Sequence, residues 1–232
     1  MYLVDVTVFK QIRDFARFFK VVEINLQFSK TSLTTQCSSP DSAVLFEARI
    51  DKKLFKDYDV EKDISVNIHI SELSIYDDVY MPVYITILDS GELSFCFKNF
   101  TRTGWNLTEN PKTTKGDRFD TPEPSTGGYT IGVHDFNMIL RTICANGKHT
   151  TITKTPFHLE FSSGSTKLTV AFSGAEFSPQ KFDSFLLSRL KYFPDNVVSV
   201  NMTIEDGKPI VFETLTRYDN LVLWRVFIAP VL

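Results

Sequence analysis

Cysteine is scarce in this 232-residue sequence: Cys37, Cys96 and Cys144 stand far apart and form no C-x-x-C pair. An odd number without a framework excludes a disulfide scaffold and reads as reduced thiols in an intracellular setting. Long hydrophobic runs are missing too. No stretch of about 18 apolar residues occurs, so no membrane-spanning helix and no membrane partner are expected. Met1-Tyr2-Leu3-Val4-Asp5 places an acid where a secretory signal needs an apolar stretch, so secretion is not expected. Nor is there a cationic excess: 25 Lys and Arg face 28 Asp and Glu, a net charge of −3. That balance opposes nucleic-acid binding unless the cations are segregated on one face.

The apparatus of catalysis is also absent. The sequence holds no G-x-S-x-G, no phosphate-binding P-loop, no G-x-G-x-x-G after a strand and no H-E-x-x-H. His69, His134, His149 and His158 are scattered, and none has a second ligand at metal spacing. His69 and His158 alternate within strand-like runs and read as structural. Asp77-Asp78 are adjacent residues whose side chains diverge, which reads as a solvated helix end. Glu205-Asp206 sit at a turn, where acids favour the backbone geometry. No constellation supplies nucleophile, base and orienting group together. The expectation is a non-enzyme without metal or cofactor.

What the sequence does have is core material and a repeat. Phe occurs 21 times and 43% of residues are hydrophobic, enough to build packed cores rich in Phe. Near the end of the first half, Tyr84–Phe97 reads as strand, acidic turn with Gly, strand; Val198–Glu213 repeats this in the second half. Each hairpin follows a helix-length amphipathic segment, Val8 to Lys20 and His134 to Asn146. Strand-like runs come after each: Glu23–Phe28 and Ala43–Ile50, then Thr150–Thr153, Phe157–Phe161 and Lys167–Phe172. A second short helix is predicted before each hairpin, at Ser71–Tyr80 and Pro179–Phe193. Between the halves, Leu107 to Gly128 is polar and rich in Pro and Gly, which reads as a linker. The plan is an α+β protein of two repeated β-rich modules, 1–107 and 129–232, joined by 108–128. A single irregular α+β domain with a long loop is the alternative.

The cations are not spread at random. On the first helix, at about 100° per residue, Phe9, Ile12, Phe15, Ala16 and Phe19 share one face. Lys10, Arg13, Arg17 and Lys20 follow at spacings of three, four and three and form a stripe on another. The second module repeats this in weaker form. Phe136, Ile139, Leu140 and Ile143 are apolar; His134, Asn137 and Arg141 share a polar face, and Lys148 follows the helix. The later helix candidate carries Lys181, Arg189 and Lys191. Such stripes can contact phosphates and give a salt-dependent, sequence-independent attraction to double-stranded DNA. No motif for reading base edges is evident.

In order and spacing the chain resembles proliferating cell nuclear antigen (PCNA), the DNA sliding clamp family. The likeness is carried by Ser38-Ser-Pro-Asp-Ser-Ala-Val-Leu-Phe46 with Leu54-Phe-Lys-Asp-Tyr-Asp59, by Tyr129-Thr-Ile-Gly-Val-His-Asp-Phe136, and most sharply by Leu223-Trp-Arg-Val-Phe-Ile-Ala-Pro230. It implies the clamp fold, with helices lining an inner face and sheets outside, in a ring that encircles duplex DNA and serves as a polymerase processivity factor. In the family the ring is a head-to-tail trimer sealed by edge strands, here Asn99–Leu107 (Asn99, Thr101, Thr103, Trp105) against Lys167–Gly174 (Lys167, Thr169, Ala171). Partner proteins, the polymerase among them, dock a short peptide in an apolar pocket, which carries over to Ile228, Ala229 and Pro230, with Phe119 of the linker as a wall. The sequence departs from the family in the acidic Ser71–Tyr80 segment, the polar linker and a strand expected to be lost between Phe172 and Pro179. Such divergence suits a virus-encoded or specialised clamp acting in the nucleus or at a viral replication site. A clamp-like adaptor in a transcription or DNA-damage complex, in a hetero-oligomeric ring, is the second reading; a small phosphate-ester or glycan enzyme on a β scaffold is the third.

Overall fold

A computed structural model describes residues 2–3, 7–72, 83–88, 92–98, 106–116, 121, 128–172, 176–193, 196–216 and 221–231. The chain divides into two compact units, Met1–Pro40 with Glu47–Asp120, and Asp41–Phe46 with Thr121–Leu232.

In the first unit the order is β1 (Tyr2–Leu3), α1 (Thr7–Phe18), β2 (Glu23–Phe28), β3 (Ser32–Ser38), β4 (Val44–Asp51, of which Glu47 onward belongs to this unit), β5 (Phe55–Lys56) and β6 (Ile64–His69). Then come β7 (Val83–Ile87), β8 (Leu93–Lys98), β9 (Asn106–Glu109) and β10 (Thr113–Lys115). One sheet has the order β5-β1-β7-β8-β9, and the other begins β10-β6-β2-β3-β4. The predicted apolar face of α1 is buried whole, with Phe9, Ile12, Phe15, Ala16 and Phe19 in the core. Phe9 meets Phe95 of β8 edge-on at 6.1 Å.

The second unit runs β11 (Tyr129–Gly132), α2 (Val133–Cys144), β12 (His149–Lys154), β13 (His158–Ser163), β14 (Thr166–Ala171), β15 (Phe177–Asp183) and α3 (Ser184–Arg189). It ends with β16 (Val197–Thr203), β17 (Ile210–Thr216) and β18 (Val222–Ile228). Its sheets are ordered β14-β13-β12-β15 and β18-β17-β16-β11. The pairing order β1-β7-β8-β9 therefore recurs as β11-β16-β17-β18, and β6-β2-β3-β4 recurs as β15-β12-β13-β14. Phe136 of α2 packs on Phe212 of β17 at 5.5 Å, repeating the contact of Phe9 on β8. Both predicted hairpins form, β7–β8 and β16–β17. The second turns through Gly207, whose φ of 69° suits a residue without Cβ.

Two expectations are corrected. The predicted helix Pro179–Phe193 is a strand over its first part, because Gln180 and Phe182 alternate inward and Pro179 is tolerated on the edge strand β15. The helix starts only where Asp183 caps it, accepting from the Phe185 and Leu186 N–H groups at 2.7 and 3.2 Å. The strand expected to be missing after Phe172 is this same β15. The stretch 108–128 also contains structure: β10 pairs with β6, Thr113 opposite Ile68 and Lys115 opposite Val66. Of the predicted helix Ser71–Tyr80, residues 73–80, with Asp77 and Asp78, lie outside the described residues.

Tyr58, from the family-like turn after β5, has a structural task. Its hydroxyl donates to the carbonyls of Ser29 and Ser32 at 2.7 and 2.8 Å and so ties down the β2–β3 turn. Burial pushes its pKa up to about 12.

Candidate nucleic-acid interface

The cationic stripe of α1 survives only in part. Arg17 and Lys20 are exposed and Lys10 is half-buried, but Arg13 is 3% exposed. Arg13 lies four residues from Phe9, about 40° round the helix, and so falls at the margin of the apolar face. Its guanidinium reaches Asp14 Oδ1 at 3.2 to 3.3 Å. Arg13 is thus corrected from a phosphate ligand to a packed side chain.

Lys20 lies just past the helix end. Its φ is 54°, its N–H donates to Arg17 O at 3.1 Å, and Val21 N–H donates to Ala16 O at 2.8 Å. These two bonds are the Schellman pattern, with lysine at the position glycine usually takes.

In the second unit, Arg141 on α2, Lys148 after it and Lys191 after α3 are exposed, and Arg189 is half-buried. The ends of these elements are knitted together. Ser184 N–H donates to Lys148 O at 3.0 Å, and the Thr150 and Ser184 hydroxyls are 2.9 Å apart. Cys144 Sγ lies 3.9 Å from Thr150 Oγ1, and burial raises this thiol to about 11. Lys148 is thereby held close to the start of α3. Lys181 is not part of this group. It stands on β15 between buried Gln180 and Phe182, so it projects from the opposite face of the sheet, away from the core.

An aromatic residue that the sequence reading overlooked sits among these cations. Phe185 of α3 is 53% exposed, and the Arg189 guanidinium carbon lies 4.2 Å from its ring centroid. Its signal was the i, i+4 Phe–Arg spacing following a capping Asp, hidden by reading one long helix from Pro179.

The residues expected at subunit contacts are partly placed. Lys167, Thr169 and Ala171 are the exposed positions of β14, and β14 pairs only with β13 among the described residues. Lys167 Nζ also meets Glu160 Oε2 at 2.6 Å. Asn99, Thr101, Thr103 and Trp105 lie outside the described residues. Of the expected peptide pocket, Phe119 lies outside them too. Ile228 is fully buried opposite Ile210, so it is core rather than an accessible wall. Ala229 and Pro230 are half-buried. The Ala229 N–H donates to Ala43 O at 2.9 Å, and Val231 N–H to Lys181 O at 2.7 Å.

Asp206 Oδ1 accepts from Ser178 N–H at 2.9 Å, and His69 Nδ1 lies 2.6 Å from Ser71 Oγ. No group of three or more His, Cys, Asp or Glu able to hold a metal ion occurs among the described residues.

No family model matches the chain, and no curated protein matches it in sequence. Solved structures do. The chain is similar to the PCNA2–PCNA3 complex from Sulfolobus tokodaii, with a TM-score of 0.77 over 99% of this chain and 98% of that one, at 14% sequence identity.

Proposed function

From a PCNA-like clamp fold as the starting point, we propose that the protein is a DNA sliding clamp, a non-enzymatic ring that encircles duplex DNA and tethers a polymerase. The observation that carries this is the pairing order the two units share, together with the open sheet edge in each. Among the described residues β9 pairs only with β8 and β14 only with β13, so each presents an open strand edge. A second copy could therefore lay its β14 along β9, head to tail. Repeating such a heterologous contact closes a ring when the rotation allows it, and it removes two open sheet edges.

Arg17, Lys20 and Lys10 of the first unit, and Arg141, Lys148, Arg189 and Lys191 of the second, are the cations that would face the duplex. Their contacts would be to phosphates, which makes binding indifferent to sequence and steeply dependent on salt. Replacing Arg17, Lys20 and Arg141 together with Ala should weaken duplex binding and flatten its salt slope. An unchanged slope would remove them from the interface.

A second reading is an adaptor clamp in a transcription or DNA-damage complex that needs a different chain to close its ring. The similar structure being a complex of two differently named clamps favours keeping it. Solution mass separates the readings. A species of three times the 26.5 kDa chain mass supports a homotrimer. A single-chain species that assembles only with another clamp chain supports the adaptor. A protein that binds no DNA in either form would overturn both.

A further inference from the structure

A surface that only tracks phosphates has no use for exposed apolar side chains, yet the two helices of the second unit present two of them. Phe185 of α3 is 53% exposed and Met138 of α2 is 49% exposed. Met138 sits between His134 and Arg141 on the exposed face of α2, spaced four and three residues from them, and α2 packs against α3. Phe185 is held in place rather than left loose. Its N–H is bound by the capping Asp183, its carbonyl accepts from Ser188 Oγ at 2.7 Å, and Arg189 covers one side of the ring at 4.2 Å. Lys191 follows just beyond α3, exposed, and Lys148 is tied to the start of the helix through the Ser184 N–H bond to its carbonyl.

A fixed aromatic ring, backed by a guanidinium on a helix whose two ends adjoin the exposed Lys148 and Lys191, suits a partner that is both anionic and flat-faced. We propose that Phe185 and Arg189 form a stacking platform for an unpaired base of DNA, so that this protein prefers duplexes carrying a single-stranded arm over blunt duplexes. Every base has a π-face, so such a contact is tolerant of sequence, and the guanidinium behind the ring adds cation–π attraction. Paired bases inside a duplex hide their faces from it. The inference rests on the DNA-encircling reading above and adds to it a preference for the structure of the DNA.

The test compares anisotropy of a blunt duplex with that of a primer–template junction whose single-stranded arm carries 2-aminopurine. The wild-type chain should bind the junction more tightly and quench the 2-aminopurine. Phe185→Ala should lose about tenfold on the junction, lose the quenching and bind the blunt duplex as before. The salt slope should not change, because no charge is removed. Phe185→Trp should keep the preference. Phe185→Leu, which keeps apolar bulk without a π-face and guards against a folding artefact, should behave like Ala. Equal losses on both DNAs, no loss on either, rescue by Leu, or a change in oligomeric mass with Phe185→Ala would overturn the stacking platform; the last would make Phe185 a protein contact. A wild-type protein that bound neither DNA would instead overturn the clamp reading itself.

Discussion

The two units share one pairing order but treat the side of the second sheet that faces away from the core oppositely. In the first unit, Asn67, Asn25 and Gln36 stand directly opposite one another on β6, β2 and β3. Asn25 Nδ2 donates to Asn67 Oδ1 at 2.8 Å, Gln27 Nε2 donates to Asn25 and Gln36, and Gln36 Nε2 donates to Glu47 Oε2 at 2.8 Å. Asn25, Gln36 and Glu47 are buried. The counterpart row in the second unit is Lys181, Thr151, Ser162 and Lys167, with both lysines exposed. The difference follows from what lies on top. In the first unit β10 pairs with β6, and Gly116 after it comes so near that an added Cβ would stand 2.1 Å from Asn25 Nδ2 and 2.8 Å from Ser65 Oγ. A polar face closed off from water has to satisfy its own groups; one left open can carry lysine.

That contrast can be broken most severely at Gln36. Gln36→Ala removes the donor to a buried carboxylate and an acceptor of Gln27, and should cost about 3 kcal/mol of stability in denaturant melts. Thr151→Ala, in the same row of the second unit, should stay within about 0.5 kcal/mol. Next in size is Gly116→Ala, where the new methyl must push apart the Asn25–Ser65–Asn67 cluster or lift β10, at about 2 kcal/mol. Hydrogen exchange should speed up in β10. Gly132→Ala is the control, because its nearest atom is Asp135 Oδ2 at 4.0 Å, and it should be close to neutral.

Tyr58→Phe should cost about 1 kcal/mol through the lost hydroxyl bonds. It should also change the alkaline limb of the stability curve. The folded pKa of about 12 lies above the ordinary tyrosine value of 10.0, so the contribution is complete below pH 10 and fades as the pH climbs toward 12. The Phe variant should lack that component of the loss. The smallest effect expected is a gain. Lys20→Gly relieves the positive φ at the end of α1 and should add up to about 1 kcal/mol in thermal melts.

Periodicity alone made the core face of α1 legible, since Phe9, Ile12, Phe15, Ala16 and Phe19 all lie within one arc, and the buried face of α2 followed the same way. The acidic turns with Gly marked both hairpins because alternation around a turn has few other readings. What failed did so at borders. Arg13 sits beside the apolar arc, and spacing does not say how wide a helix is covered by its neighbours. Pro179 suits the first turn of a helix as well as an edge strand, and Asp183, the true cap, was passed over in a segment read as one long helix. The strand β10 is three residues long in a polar stretch; its partner β6 is distant in sequence and left no local trace. The platform at Phe185 was missed for the same reason as β15, since its exposure depends on where the helix begins.

The central claim, a closed ring threaded by duplex, is tested most directly by retention of the protein on covalently closed circular DNA against the same DNA cut once. The clamp account predicts that protein assembled on the circle stays through a high-salt wash and leaves after a single cut frees the ends. Equal retention on circle and cut DNA would contradict it.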